Sequence, residues 1–270
     1  MDFPPSPETL LQGASSLGIL KDLLASELDR SRRIIARSPF RDRPQKGMGP
    51  FEAALRHGPL PVIAEFKRAS PSLGPFAAQA DIRERLAGYA RGGAAACSIL
   101  AEPARFLGAP EDFTKAKAFG LPLLYKGFVC TEAHLEEAVA LGAKAVLLIT
   151  RLLGDHLPGF VTAARARGLE PLVEVHGPGE IIAVQAASVR MVGWNARDLA
   201  DFSVRKAPAA LLRDAFPEAL LVRESGLRTP EDASAALAEG FDAVLIGEAL
   251  MRAADPAAFL AGIHKPAVRA

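Results

Sequence analysis

The sequence predicts an α/β protein, a (β/α)8 TIM barrel with an N-terminal helical extension, on three observations. From Pro61 onward, eight short runs rich in Val, Ile and Leu recur, the composition of parallel strands buried on both faces. Stretches with helical apolar spacing lie between and after them, so the runs follow one another at a mean spacing of about 26 residues, as in a barrel of this kind. No G-x-G-x-x-G follows the first run. An open doubly wound sheet, the alternative, usually has fewer parallel strands and often carries that fingerprint.

The elements justify themselves in order. Residues 1–60 form the extension and 61–270 the catalytic barrel. The first eight residues carry three prolines and predict a loosely draped tail. Leu17 to Ala36 places Leu17, Leu20, Leu24 and Leu28 at helical spacing, a helix that caps the barrel. It ends in Arg30, Arg32, Arg33 and Arg37, which suit the helix dipole and read as a solvated face. Pro39, Pro44, Gly47, Gly49 and Pro50 make a loop before a short helix at Phe51–His57. The eight strands are then 61–67, 96–101, 122–128, 144–150, 170–176, 190–196, 219–225 and 242–248. Among the helices between them, the one opening at Thr229 has an N-cap, a proline at its first position and acids in its first turn.

Composition excludes several classes. With 32 basic and 31 acidic residues the net charge is +1, against the basic excess that coating nucleic acid requires. Two cysteines, Cys97 and Cys130, are too few for a disulfide framework and point to a reducing, cytoplasmic setting with both thiols in the core. The longest purely aliphatic stretch, 145–149, is far below the roughly 20 residues a membrane span needs, and no secretory signal is visible. The five histidines are scattered without metal-ligand spacing, and His176 reads as an ordinary loop residue. Neither a metal nor a cofactor is called for.

In such a barrel the active site lies at the carboxyl ends of the strands. Polar residues recur there: Glu65 and Lys67, Lys126, Glu174, Asn195 with Arg197, Glu224-Ser225-Gly226, and Gly247-Glu248. Lysine is scarce, 9 against 23 arginines, so two at strand ends are unlike surface decoration. Lys67, Lys126 and Arg197 predict a cationic pocket for an anionic, phosphorylated small molecule. Glu65, Glu174 and Glu224 supply bases or partners of the lysines. Ser225, Gly226, Gly247 and Glu248 follow the last two strands, where barrels of this kind hold phosphate.

These residues sit in segments that resemble the indole-3-glycerol phosphate synthase family. The likeness runs in order through IAEFKRASPSLGPF (63–76), EPARFLGAPEDF (102–113), LLYKGFV (123–129), LVEVH (172–176), VGWNARDL (192–199), RESG (223–226) and LIGEALM (245–251). It implies ring closure of an anilino-deoxyribulose phosphate to an indole, with loss of CO2 and water and without a cofactor. It implies Lys126 as the acid that protonates the ketone, and Glu174 as the base or cation-stabilising carboxylate of the dehydration. Lys67 would contact the substrate carboxylate and take part in proton transfer, with Glu65 orienting it. Ser70, Asn195, Arg197 and Glu224 match substrate-binding positions, and Ser225, Gly226 and Gly247 the phosphate cradle.

At the third strand the family usually reads Arg-Lys-Asp-Phe, and this chain Tyr125-Lys126-Gly127-Phe128. That difference removes a carboxylate beside Lys126. Lys126, near other cations and walled by apolar groups, is expected to have a lowered pKa. Two other readings use the same barrel: an aldolase with a Schiff-base lysine at Lys126 or Lys67, and a ligand-binding scaffold without turnover. The expected partners are the small anionic substrate alone, with no nucleic acid or membrane, in a monomer or weak homo-oligomer.

Overall fold

The computed structural model describes residues 4–6, 9–10, 19–34, 47–71, 73–197 and 208–265. Most of the predicted tail, the ends of the first predicted helix with Leu17 and Ala36, Arg37, and the loop through Pro39 and Pro44 lie outside them. Eight parallel strands close into a barrel: β1 (Leu60–Phe66), β2 (Ala94–Leu100), β3 (Leu123–Lys126), β4 (Ala145–Ile149), β5 (Glu170–Val175), β6 (Met191–Asn195), β7 (Leu220–Glu224) and β8 (Ala243–Ile246). Neighbours pair in sequence order, and β8 pairs with β1 to complete the ring. Each falls in or across one predicted run. A two-residue-per-arm hairpin, Ala69–Ser70 with Gly74–Pro75, follows β1.

The α-helices among the described residues are α1 (Ile19–Ser31), α2 (Pro50–His57), α3 (Ile82–Arg91), α4 (Pro110–Ala116), α5 (Glu132–Ala140) and α6 (Thr150–Leu153). They continue with α7 (Leu157–Ala166), α8 (Ile181–Ala186), α9 (Ala209–Ala215), α10 (Pro230–Ala238), α11 (Glu248–Arg252) and α12 (Pro256–Ala261). Pro50, Pro110, Pro230 and Pro256 each open a helix, where proline's missing N–H costs nothing. At α10, Thr229 is the N-cap and Pro230 opens the helix, as the sequence predicts, and Asp232 completes a reciprocal capping box with Thr229.

Strand residues alternate between two cores. Val62, Ala64 and Phe66 of β1, Val173 and Val175 of β5, and Val244 and Ile246 of β8 pack outward against the helices. Ile63, Leu124, Ala145, Leu147, Leu172, Met191, Leu220, Val222, Ala243 and Leu245 pack inside the barrel. The same parity carried two or four residues further leads from Ile63 to Glu65 and Lys67, from Leu124 to Lys126, from Leu172 to Glu174 and from Val222 to Glu224. The period of the strand therefore turns the site residues inward. A one-residue slip would expel all of them.

The extension contributes one helix to each mouth of the barrel. At the amino-terminal mouth, α2 inserts Phe51 and Leu55 into the inner core. Its first turn is capped by a remote side chain: the backbone N–H groups of Phe51 and Glu52 donate to the two carboxylate oxygens of Glu170, at 2.8 and 2.9 Å. Glu52 in turn accepts from Arg190 at 2.7 and 3.0 Å. At the opposite mouth, α1 packs Leu23, Leu24 and Leu28 onto the inner core with Phe128, Cys130 and Leu152.

Arg30 is not the solvated residue that its basic cluster suggests. Its guanidinium donates to Glu137 at 2.9 and 3.0 Å and to the Tyr125 hydroxyl at 3.0 Å. Arg32 and Arg33 are exposed, as expected. The difference is geometric: Arg30 shares a helix face with Glu27, whose carboxylate meets His134 on α5 at 3.1 Å. Cys97 and Cys130 are buried free thiols, as predicted. No helix among the described residues is long and apolar enough to cross a membrane.

Candidate active site

A barrel core is built in layers of four side chains from alternate strands. In this chain the last layer of the odd strands is ionisable throughout: Glu65 of β1, Lys126 of β3, Glu174 of β5 and Glu224 of β7. The three glutamates are buried, Glu224 completely, and Lys126 is partly buried, with 17% of its side chain exposed. Lys126 Nζ lies 3.0 Å from Glu65 Oε2 and 3.1 Å from Glu224 Oε2. Lys67, one step above Glu65, reaches its other oxygen at 3.0 Å. Ser98 of β2 donates to Glu65 at 3.4 Å.

Two glycines of the even strands make room for these carboxylates. A Cβ on Gly193 of β6 would overlap Glu224 Oε1, and one on Gly247, just past β8, would overlap Glu65 Oε1. Gly247 thus shapes the carboxylate layer, a task its place beside the predicted phosphate loop does not suggest.

The charges sort the protons. Burial pushes the Glu65 carboxyl up, but Lys126 and Lys67 pull it down to about 2. Burial works against the Lys126 ammonium, yet Glu65, Glu224 and Glu174 together raise its pKa above the usual lysine value. The expected lowering is therefore corrected: its nearest charged neighbours are carboxylates, not cations. Gly127 does not leave Lys126 alone either, because its partners come from β1 and β7. A side chain at 127 would instead point at the Tyr125 ring and Ala101, with its Cβ 3.3 and 3.4 Å from them.

Burial raises Glu224 to about 7 despite Lys126, with Glu174 adding to the rise. Burial likewise raises Glu174, against the pull of Lys126 and hydrogen bonds from Glu224 and Asn195. Both carboxyls are thus held above the usual range, and the repulsion between them couples their titrations.

The layer forms the floor of a cavity of about 720 Å³. Eleven of the twelve predicted site residues line it: Glu65, Lys67, Ser70, Lys126, Glu174, Asn195, Arg197, Ser225, Gly226, Gly247 and Glu248. Glu224 does not reach the cavity; it is fully buried and meets it only through Lys126. Asn195 Oδ1 accepts from the Arg197 backbone N–H at 3.1 Å, a turn that closes β6. Ser225 and Gly226 both have positive φ, 64° and 78°, a conformation that a serine rarely adopts outside strained, functional turns. The Glu248 carboxylate is drawn to Arg252 at 3.0 Å.

The structure adds residues that strand-end reading misses. Leu23 of α1, Phe106, Phe128 and Ile149 give the cavity an apolar wall. Phe106 is placed by Glu102, whose carboxylate accepts from the backbone N–H groups of Ala104, Arg105 and Phe106 at 2.7–2.9 Å. Arg228 and Arg252 add cations to the lining, while Glu65, Glu102, Glu174 and Glu248 set carboxylates against them, so the cavity is of mixed charge rather than simply cationic. His176 is buried rather than an ordinary loop residue, with Nε2 3.2 Å from Glu174 Oε1. The signal for His176 and Gly193 was strand parity, since each lies two residues from a predicted site residue. Leu23 and Phe106 come from outside the strands and carry no such signal. Among the described residues no group of His, Cys, Asp and Glu is arranged to hold a metal ion.

Fold and site together define the class: a (β/α)8-barrel enzyme with its ionisable groups gathered at the carboxyl ends of the strands. The family model for indole-3-glycerol phosphate synthase matches residues 25–263. The chain belongs to the indole-3-glycerol phosphate synthase family, carboxy-lyases of tryptophan biosynthesis. It is 41% identical over 254 residues to indole-3-glycerol phosphate synthase 2 of Streptomyces coelicolor, covering 91% of this chain and 98% of the relative. It is 42% identical over 212 residues to indole-3-glycerol phosphate synthase of Carboxydothermus hydrogenoformans, covering 76% and 80%. The structure of tryptophan synthase subunit alpha from Legionella pneumophila shares the fold alone: TM-score 0.54, 13% identity, 80% of this chain and 97% of that one.

Proposed function

We propose that this chain closes the indole ring of 1-(2-carboxyphenylamino)-1-deoxyribulose 5-phosphate, releasing CO2 and water, with Lys126 as the acid of the closing step. One observation carries the assignment: Lys126 is a partly buried amine held between Glu65 and Glu224 at the floor of the cavity, where the carboxylates favour its ammonium form. The ring carbon that bears the carboxylate attacks the ketone carbon, and the ketone oxygen becomes strongly basic as the new bond forms. A positioned ammonium gives up its proton at that moment. The bond to the carboxylate then breaks, its electrons restore the aromatic ring, and CO2 leaves. Glu224, 3.1 Å from Lys126 and with its carboxyl raised to about 7, can restore the ammonium.

Loss of the new hydroxyl as water requires a proton on that oxygen and removal of one from the neighbouring carbon. Lys67 and Glu174 are assigned to this stage, Glu174 as base or as the carboxylate that stabilises the cation, with Glu65 orienting Lys67. Ser70, Asn195 and Arg197 hold the substrate's polar groups. The backbone of Ser225, Gly226, Gly247 and Glu248 takes the phosphate, because the Glu248 carboxylate is already drawn to Arg252. The aromatic half fits the wall of Leu23, Phe106, Phe128 and Ile149. Fixing both ends bends the flexible chain so that its reacting atoms meet.

A Schiff-base aldolase needs an unprotonated amine, and the carboxylates around Lys126 disfavour that form. The test is a fluorescence assay of indole formation with wild type and Lys126→Ala. The variant is expected to lose at least about a thousandfold in kcat. Unchanged activity in the variant removes Lys126 from the role. A wild type without activity supports the ligand-binding scaffold, and borohydride trapping of a keto-phosphate adduct supports the aldolase.

A further inference from the structure

We propose that His176 is a positioning residue for Glu174, an imidazole that fixes the carboxylate's orientation within the ionisable layer. The inference rests on the reading of Glu174 given above and goes beyond it. His176 follows β5 and keeps the inward parity of Glu174 two residues earlier. Both side chains are buried, with 1% and 3% of their surface exposed, and Nε2 lies 3.2 Å from Oε1. The contact is within ion-pair reach but is not aligned as a hydrogen bond; in the proposed working state a small turn of the ring brings an Nε2–H into line with that oxygen as its donor.

The imidazole is itself held from behind. The His176 backbone N–H donates to Glu180 Oε2 at 3.1 Å, and Glu180 Oε1 accepts from Arg151 on α6 at 3.2 Å. The start of α8 and the end of β4 thus anchor the turn that carries His176.

A glutamate has three side-chain torsions, and a reacting carboxylate must keep one orientation. The charged and titratable groups acting on Glu174 are Lys126 of β3, Glu224 of β7, and Glu180 before α8, with Glu65 of β1 acting through Lys126. Lys126 attracts the carboxylate, while Glu224 and Glu180 repel it when charged. Electrostatics alone would swing Glu174 toward Lys126, which already has two partners. A donor supplied from the end of β5 itself, at the Oε1 oxygen, opposes that swing.

The test compares His176→Leu and His176→Gln with wild type, measuring kcat, KM and thermal midpoint from about pH 5 to 9. His176→Leu is expected to lower kcat about tenfold or more with KM within about twofold. Its acid limb should move to higher pH, because a carboxylate that loses a donor is protonated more readily. His176→Gln, which keeps an N–H donor, should recover most of kcat. An unchanged kcat and acid limb in His176→Leu overturns the proposal. So does equal impairment of both variants, a rise in KM alone, or unfolding of both. Glu174→Gln separates the two readings. If it is fully active, the role of Glu174 fails; if it is inactive while His176→Leu matches wild type, only the role of His176 fails.

Discussion

Glu224 and Glu65 occupy equivalent inward positions on β7 and β1 and burial raises both, yet Glu224 ends near 7 and Glu65 near 2. The difference is the number of cations each meets: Glu65 touches both Lys67 and Lys126, and Glu224 only Lys126. Two carboxylates of one layer thereby take different tasks, one permanently charged and one able to exchange a proton. Both depend on the space that Gly193 and Gly247 leave. Gly193→Ala is expected to displace Glu224, and Gly247→Ala to displace Glu65. Each should lower kcat by about tenfold or more and cost roughly 1–3 kcal/mol from overpacking. Steady-state kinetics with denaturant unfolding checks both effects, and full activity in either variant contradicts the packing argument.

The strand is the element that assembles this layer, because a period of two carries the inner core into the site without a break. Four odd strands end in ionisable residues of the same parity, and that pattern is readable along the chain. Helix α1 acts from outside the barrel. Arg30, Glu137 and Tyr125 tie it to α5 and β3, with the Tyr125 hydroxyl donating to Glu137 at 2.5 Å. Leu23, two turns before Arg30, thereby stays on the cavity wall. Arg30→Ala leaves Glu137 without its buried cation, an expected loss of about 1–3 kcal/mol. It should raise KM about three- to tenfold while kcat changes little, because no group of the ionisable layer is touched. A calorimetric melt and KM measured together test this. An unchanged KM would separate α1 from substrate binding.

At the scale of the whole molecule the ionisable layer couples activity to stability. A carboxyl with a folded pKa of about 7 and an ordinary value near 4.5 when unfolded favours the fold at low pH. That contribution is complete below about 4.5 and is lost as pH rises through about 7. Glu224→Gln removes the group that must ionise inside. Above about pH 8 it is expected to be more stable than wild type by roughly 1–3 kcal/mol. Near pH 4 that advantage should vanish. Thermal midpoints of both proteins across this range decide it, and an equal difference at all pH values would contradict it. The rate should follow a bell, since the Glu174–Glu224 pair and Lys126 must each hold the right proton. A kcat flat from about pH 5 to 10 would count against proton transfer by these groups.

The barrel, the order of its strands, and the inward direction of Glu65, Lys126, Glu174 and Glu224 are legible along the chain, because apolar period and strand parity are local properties. The sequence also marks the lysines by their scarcity and the loops after β7 and β8 by their glycines. The upward shift of the Lys126 ammonium is legible only in the closed barrel, since the carboxylates around it lie about 60 and 100 residues away in sequence and meet it through barrel closure. The same holds for the two extension helices at opposite mouths, for Arg30 as a buried tie rather than a solvated charge, and for His176 beside Glu174. Pattern reports which face a residue takes. The pKa and partners of a buried group depend on what every other strand places against that face.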